Sequence, residues 1–436
     1  MTYPKTLSAQ EAVKVIKSGD RIHLHSVAAT PHILVNAMIE RGRAGELRDV
    51  TIQHLHTEGP AFYASEEFEG VFNLESFFVG SNVRKVTQQG YADYIPVFLN
   101  ETQKLIRQGY LKVNVAMVQV SPPDKHGWVS LGTSVDCTRA AVQTADTVIA
   151  VINKHVPRAW GDAMMQLKDF DIFVEDNTPL YEAHFEELSE TDKAIGSHVA
   201  DLIEDGATLQ MGIGSIPNAV LAKLGNHKRL GIHTEMFADG LLPLIESGVV
   251  TGEDKILDRG KIVATFLMGS KKVYDFIDDN PMVLMNDVAY TNGVDVIRKN
   301  HKVTAINSAL QIDLTGQVCA DSLGTKFYSG VGGQIDFLRA AAYSEGGKPI
   351  IAMPSVTRNG DSKIAPILLP GAGVVTTRAN MHWFVTEHGS VNLYGKTLQE
   401  RSKLIISVAD PRHQEALDKA AFERFGPHYR YVRGTY

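Results

Sequence analysis

One order of residues occurs twice in this chain, and it constrains the fold more than any other feature. Ser8 and Glu11 form an S-x-x-E capping box, and Ala12, Val13 and Ile16 fall on one face of the helix it opens. Gly19 stops that helix, and the alternating run Arg21-Ile-His-Leu-His25 reads as a strand. Small residues, then Thr30-Pro31 and a second helix over 33–39, follow. Near the middle the order returns. Ser189 and Asp192 cap a helix with Ile195, Val199, Leu202 and Ile203 on one face, and Gly206 ends it. Thr208-Leu-Gln-Met211 reads as a strand, Gly212 to Pro217 as a small-residue turn, and 219–224 as the next helix. Gly19 to Pro31 spans 12 positions and Gly206 to Pro217 spans 11.

Three further echoes keep this order. His56-Thr-Glu-Gly59 matches His233-Thr-Glu-Met236, Asp124-Lys-His-Gly127 matches Asp313-Leu-Thr-Gly316, and Ser130-Leu-Gly-Thr133 matches Ser322-Leu-Gly-Thr325. Each match is cheap alone, but together they indicate a duplicated α/β unit, with domains at 1–188 and 189–436. Apolar runs at 113–120, 147–152, 262–267, 303–306, 350–353 and 373–376 read as further strands. Helices between many of them favour largely parallel sheets, with short hairpins at Asp124 and Asp313 as antiparallel additions.

Composition then narrows the function. The 436 residues carry 43 basic and 50 acidic side chains, a formal charge of -7. That balance argues against a general nucleic-acid binder. Two cysteines, Cys137 and Cys319, are too few for a disulfide framework or a cysteine zinc site. No apolar stretch approaches the ~18–20 residues of a membrane span, and the N-terminal residues lack signal-peptide features. A cytoplasmic enzyme or binding protein is the expectation.

Ligands of open α/β sheets sit where strands end and loops turn toward helices. Gly212-Ile-Gly-Ser-Ile-Pro217 is such a turn, although Pro217 spoils the G-x-G-x-x-G dinucleotide fingerprint. Ser329-Gly-Val-Gly-Gly-Gln334 is a second glycine cluster, without the lysine of a phosphate loop, ahead of a helix over 335–342. Its N–H groups suit an anion cradle or oxyanion hole, and a plain turn explains it equally well. The pairs His23/His25 and His54/His56 share a strand face, but no metal motif accompanies them. Glu235 follows an apparent strand end at His233 and precedes Met236-Phe237. A poorly solvated carboxylate there suits a nucleophile. On spacing alone a helix cap is the better reading, and Glu58 has the same local context.

At this point the chain resembles the acetyl-CoA hydrolase/transferase family, nearest to its 4-hydroxybutyrate and butyryl-CoA:acetate CoA-transferases. The resemblance rests on Gln210-Met-Gly-Ile-Gly-Ser-Ile-Pro-Asn218, His233-Thr-Glu-Met-Phe-Ala-Asp-Gly240, the run from Asn307 to Val318, Ser329 to Gln334, and Gly373 to Thr377 through Val385-Thr-Glu-His-Gly389 to Leu398. It implies two similar open-sheet α/β domains with the active site between them, the second carrying the catalytic glutamate. It implies a ping-pong transfer of CoA from a short-chain acyl-CoA to a carboxylate such as acetate, by way of a glutamyl-CoA thioester. Glu235 is the implied nucleophile. Gly212, Ile213, Gly214, Ser215 and Ile216 correspond to the CoA-binding turn, Gly332 and Gly333 to the glycines near the thioester oxygen and CoA, with Gly330 of the same cluster among the CoA-binding residues, and Asn307 and Ser308 to a further approach to CoA. CoA is substrate, no cofactor or metal is required, and a homo-oligomer is implied. A hydrolase using the same glutamate is the alternative. A nucleotide-dependent dehydrogenase and a non-catalytic acyl-CoA sensor fit the residues less well.

Overall fold

The computed structural model describes residues 4–183 and 187–431. Contacts divide it into two units, which are not the two halves of the sequence. One holds the described residues of Met1–His184 with Glu235–Asp239 and Lys261–Gly293. The other holds the described residues of Phe185–Thr234, with Gly240–Gly260 and Val294–Tyr436. The expected break at 188/189 lies close to the first of these divisions. Glu235, expected in the second domain, packs with the first unit.

The first unit is built on an eight-stranded sheet in the order Thr6–Leu7, Ile172–Glu175, Thr147–Ile152, Val115–Val120, Arg21–Leu24, Val50–His54, Phe72–Ser76, Ala92–Tyr94. All its pairings are parallel. Every residue of Val115–Val120 is buried, as a parallel strand covered on both faces requires. Ile22, Leu24, Ile52, Met117 and Ile149 centre its core.

The second unit carries a six-stranded sheet in the order Gly231–Ile232, Thr208–Met211, Thr304–Asn307, Lys348–Ala352, Trp383–Thr386, Gly389–Asn392. All pairings are parallel except the last, an edge hairpin. Ala305, Phe337, Ile351 and Phe384 lie in its core.

The duplication is visible in both topology and hydrogen bonds. With Thr6–Leu7, Phe72–Ser76 and Ala92–Tyr94 left out of the first sheet and Gly389–Asn392 out of the second, the five remaining strands of each follow the spatial order fifth, fourth, third, first, second. Gly19 N–H donates to Arg48 O as Gly206 N–H donates to Lys228 O, both glycines at positive φ. Asp124 Oδ1 accepts from the N–H groups of His126 and Trp128, and Asp313 Oδ1 from those of Thr315 and Gln317. Gly127 and Gly316 close these two turns with N–H donated back to the aspartate carbonyl. Both capping boxes form as expected, opening Ala9–Ala12 and Glu190–Ala200. The latter helix packs at Gly196 so closely on Ala219 that a Cβ would stand 2.6 Å from its carbonyl carbon.

Some expected elements differ. The 262–267 run splits into Ile262–Ala264, paired with Val283–Met285, and Phe266–Leu267, paired with Met236–Phe237. The break falls at Thr265, whose N–H is taken by Glu235 O. The 373–376 run forms no strand. Thr376 makes a lone bridge to Val318, and Gly373 N–H donates to the Ser322 hydroxyl. The helix expected over 219–224 runs from Ser215 to Leu221, because Pro217 is tolerated in a first turn. The turn at Asp313 joins antiparallel strands Gln311–Asp313 and Val318–Cys319, but Trp128–Ser130, after Asp124, pairs with Met164–Gln166.

Candidate active site

In the second unit, Thr208–Met211 and Thr304–Asn307 are neighbours although the chain places Gly231–Ile232 between them. The strand order reverses there, and ligand crevices of open α/β sheets form at such a point, outside the strand C-termini. The Gly212 turn leaves one of these strands and Asn307-Ser308 ends the other. Asn307 Nδ2 donates to Gln210 Oε1 at 2.9 Å, fixing the two strand ends. Gln334 Nε2 donates to Ser308 O at 2.7 Å, which ties the 330–333 glycines to the same edge. Gly333 is the N-cap of Gln334–Tyr343. The candidate CoA-binding residues, scattered through the sequence, thus gather at one sheet edge.

The turn itself is open. A Cβ at Gly212 or Gly214 would meet no atom within 4 Å, and Gly214 has φ 117°, where L side chains are strained. Ser215 donates its hydroxyl to Asp192 Oδ1 at 2.7 Å, so the capping residue of the preceding helix also holds the turn. Ile216 is buried beneath it.

Glu235 does not cap a helix. Met236–Phe237 is a strand parallel to Phe266–Leu267, and Glu235 O accepts from Thr265 and Phe266 N–H at 3.1 and 3.2 Å. Its carboxylate is half-buried, and Oε2 accepts from Asn292 Nδ2 at 2.9 Å. Asn292 itself is fully buried at the C-cap of Val288–Thr291. Asp287 caps that short helix through Ala289 N–H, and Arg107 donates to its other oxygen at 2.6 Å. An ion pair with one partner 7% exposed therefore sets the helix that presents Asn292. No motif in the sequence marks Asn292, which lies 57 residues from its partner. Immediately before Glu235 in the chain, Thr234 Oγ1 donates to Met211 O at 2.9 Å, at the strand end that opens the glycine turn.

The first unit has its own reversal point, between Arg21–Leu24 and Val115–Val120, and there polar side chains fill it. Gln119 N–H donates to His25 Nδ1 at 3.1 Å, so the imidazole proton sits on Nε2 and donates to Ser134 O at 2.7 Å. Thr138 gives its hydroxyl proton to Asp136 Oδ1 and accepts from His23 Nε2 at 3.0 Å. Burial pushes the His23 and His56 pKa values down to about 4 and that of His54 to about 3, so these rings are neutral. They belong to the structure of the sheet edge. Among the described residues no group of His, Cys, Asp and Glu is arranged to hold a metal ion, and no helix is long and apolar enough to cross a membrane.

Similarity to known proteins follows the same outline. Residues 1–181 match the acetyl-CoA hydrolase/transferase N-terminal domain, and residues 269–421 match the C-terminal domain of that family. A succinyl-CoA:acetate/propanoyl-CoA:succinate CoA transferase of Fasciola hepatica is 48% identical over 97% of this chain and 89% of its own. A 4-hydroxybutyrate coenzyme A transferase of Clostridium kluyveri is 44% identical over 97% and 98%. The crystal structure of a 4-hydroxybutyrate CoA-transferase from Porphyromonas gingivalis superposes with a TM-score of 0.83 at 35% identity, covering 97% of this chain and 98% of that one. Relatives named acetyl-CoA hydrolases are more distant.

Proposed function

The chain belongs to the acetyl-CoA hydrolase/transferase family, and from that premise we propose that it is a CoA-transferase whose covalent carrier is Glu235. Its substrates are a short-chain acyl-CoA, such as 4-hydroxybutyryl-CoA or butyryl-CoA, and a carboxylate such as acetate. The observation that carries the reading is the half-buried Glu235 carboxylate, oriented by the buried amide of Asn292.

The reaction needs no proton, metal or further cofactor. A Glu235 oxygen attacks the thioester carbonyl, the C–S bond breaks, and a mixed anhydride and CoA thiolate result. The thiolate attacks the glutamyl carbonyl of that anhydride, releasing the first acid as its carboxylate and leaving a glutamyl-CoA thioester. An incoming carboxylate takes the CoA by the reverse sequence. One thioester replaces another, so the overall change is close to thermoneutral.

A carboxylate is a poor nucleophile and thiolate the better leaving group, so the barrier falls only with positioning and charge stabilisation. Asn292 occupies one Glu235 oxygen and aims the carboxylate plane, a near-attack restraint. Backbone N–H groups of 212–216 and 332–333 are the proposed CoA and oxyanion contacts, with Asn307 and Ser308 beside them. One oxyanion donor is typically worth about 2.7–4 kcal/mol of barrier. Binding energy from the distant parts of CoA is available for desolvating and orienting the reacting groups.

Glu235→Gln tests this reading. It is expected to abolish transfer while CoA still binds, and borohydride after acyl-CoA alone is expected to reduce the glutamyl thioester at Glu235 in the parent protein. Full turnover by the variant, or a modified peptide elsewhere, refutes it. Acyl-CoA loss that acetate does not accelerate would mark a hydrolase. A cytoplasmic homo-oligomer completes the proposal. Exposed Phe327, Tyr328, Ile367 and Leu369 in the second unit are compatible with subunit contact, and sedimentation at equilibrium tests it.

A further inference from the structure

Hydrogen bonds of the first unit close a ring through Glu235. Glu235 O accepts the Thr265 N–H at 3.1 Å. Thr265 Oγ1 accepts the Asp136 N–H at 3.1 Å. Asp136 O in turn accepts the Val288 N–H at 3.4 Å. Val288 opens the short helix whose C-cap, Asn292, returns to Glu235 Oε2 at 2.9 Å. The N–H and the C=O of one residue, Asp136, therefore join the two arms that meet at the carboxylate.

Asp136 is fully buried, and its backbone is strained. Its φ is 29°, where a side chain crowds the main chain and glycine is favoured. The carboxylate holds the turn in that state. Oδ1 accepts from the Thr138 N–H at 2.8 Å and the Thr138 hydroxyl at 2.9 Å, and Oδ2 accepts from the Ser134 hydroxyl at 3.2 Å. The side chain thus clamps the chain on both sides of its own strained peptide.

Both arms are sensitive to that peptide. Val135 N–H donates to Thr265 O at 2.8 Å and Leu267 N–H to Thr133 O at 2.9 Å, on the other edge of Phe266–Leu267 from Met236–Phe237. Asp136 ends this ribbon, and its N–H fixes the Thr265 side chain at the break. The Val288 N–H is the first of its helix and has no partner within it, so the Asp136 carbonyl sets where the helix begins. Strained, buried backbone persists only where its surroundings over-determine it, and it gathers at functional sites. A relaxed turn here would shift Thr265 and Val288 together.

We propose that Asp136 is a positioning residue for the transfer reaction: its strained, clamped peptide sets the distance between the backbone that carries Glu235 and the helix that presents Asn292. The assignment rests on Glu235 as the carrier.

The test reads kcat and the KM for acyl-CoA separately, per folded molecule, with acetate as acceptor. Asp136→Ala is expected to lower kcat by about 10- to 100-fold, the cost of a reacting group displaced by about 1 Å, while KM stays within about twofold. Asp136→Asn keeps an Oδ1 acceptor and a residue type that tolerates positive φ, and is expected to return kcat to within about threefold of the parent. In an Asn292→Ala background, Asp136→Ala is expected to cost less than about threefold more, because the restraint it serves has gone. A role in stability alone leaves kcat per folded molecule unchanged. Should Asp136→Ala fail to fold, two variants take its place. Asp136→Gly adopts the same φ without strain but lacks the clamp, and Thr265→Val removes the acceptor of the Asp136 N–H; each is expected to lower kcat about tenfold. Unchanged kcat in the variants that fold, a KM that moves more than kcat, no rescue by asparagine, or losses that multiply in the double variant overturns the role of Asp136 while borohydride still labels Glu235. Absence of label at Glu235 in the parent protein overturns the carrier assignment instead, and this proposal falls with it.

Discussion

Replacing Asn292 by aspartate puts a second carboxylate where an amide now meets Glu235. The separation is 2.9 Å, and Asn292 is fully buried. Two unit charges at that distance repel by about 1.4 kcal/mol at the dielectric of water and by about 6 kcal/mol at an effective value of 20. At 1.36 kcal/mol per pK unit, that corresponds to an upward shift of about 1 to 4 units for the second ionisation of the pair. At the upper end of that range the pair retains one proton at neutral pH, and at the lower end it does so only in mild acid; a protonated carboxyl group does not attack a thioester. The expected result is an acidic limb of the kcat profile moved up by about 1 to 4 pH units, with activity recovering toward pH 8–9. Asn292→Ala serves as the control: it loses the donor without adding charge, so about a 10- to 100-fold slower transfer is expected without that displacement of the limb. The assay is initial rate from pH 5 to 9 with saturating acyl-CoA and acetate, alongside the yield of borohydride-labelled Glu235. An aspartate variant with the parent profile refutes the idea that this amide orients the reacting carboxylate.

Two further outcomes follow from the geometry. Asp192→Ala frees the Ser215 hydroxyl and half of a capping box. It is expected to cost about 0.5–2 kcal/mol of stability and to raise KM for the acyl-CoA more than it lowers kcat, and an unchanged KM counts against the 212–216 turn as a CoA contact. Acid sensitivity is expected from the buried imidazoles of His23, His54 and His56, whose folded pKa values of about 4, 3 and 4 lie below the unfolded value of about 6.5. The unfolded chain binds more protons below pH 6.5, so this stabilisation is complete above it and is lost as pH falls toward 4, at about 1–2 kcal/mol per ring between pH 7 and 5. Equal urea midpoints at pH 7 and pH 5 contradict this.

Much of the fold was legible because its signals are local. A capping box spans three residues, and Ser8 with Glu11 and Ser189 with Asp192 formed where expected. The Asp124 and Asp313 turns close within four residues, and the Thr147–Ile152 and Thr208–Met211 strands have the bounds that their apolar runs indicate. Failures came where a run needed a distant partner. The 262–267 stretch divides because Glu235 O takes the N–H of Thr265, and 373–376 has the composition of a strand but no ladder to join.

The candidate site divides in the same way. Repetition of a short-range pattern marked the Gly212 turn, both His-Thr-Glu sequences and the order of the strands, because backbone chemistry within a few residues repeats whenever the sequence does. Packing alone determined that the reversal point of one sheet is filled by His25 and Gln119 while glycines leave the other open, and that Glu235 groups with the first unit. Packing alone also brought Asn292 to Glu235. Such meetings are made by side chains far apart in the chain, and their energies depend on burial and distance, quantities that exist only once the sheets and helices have come together.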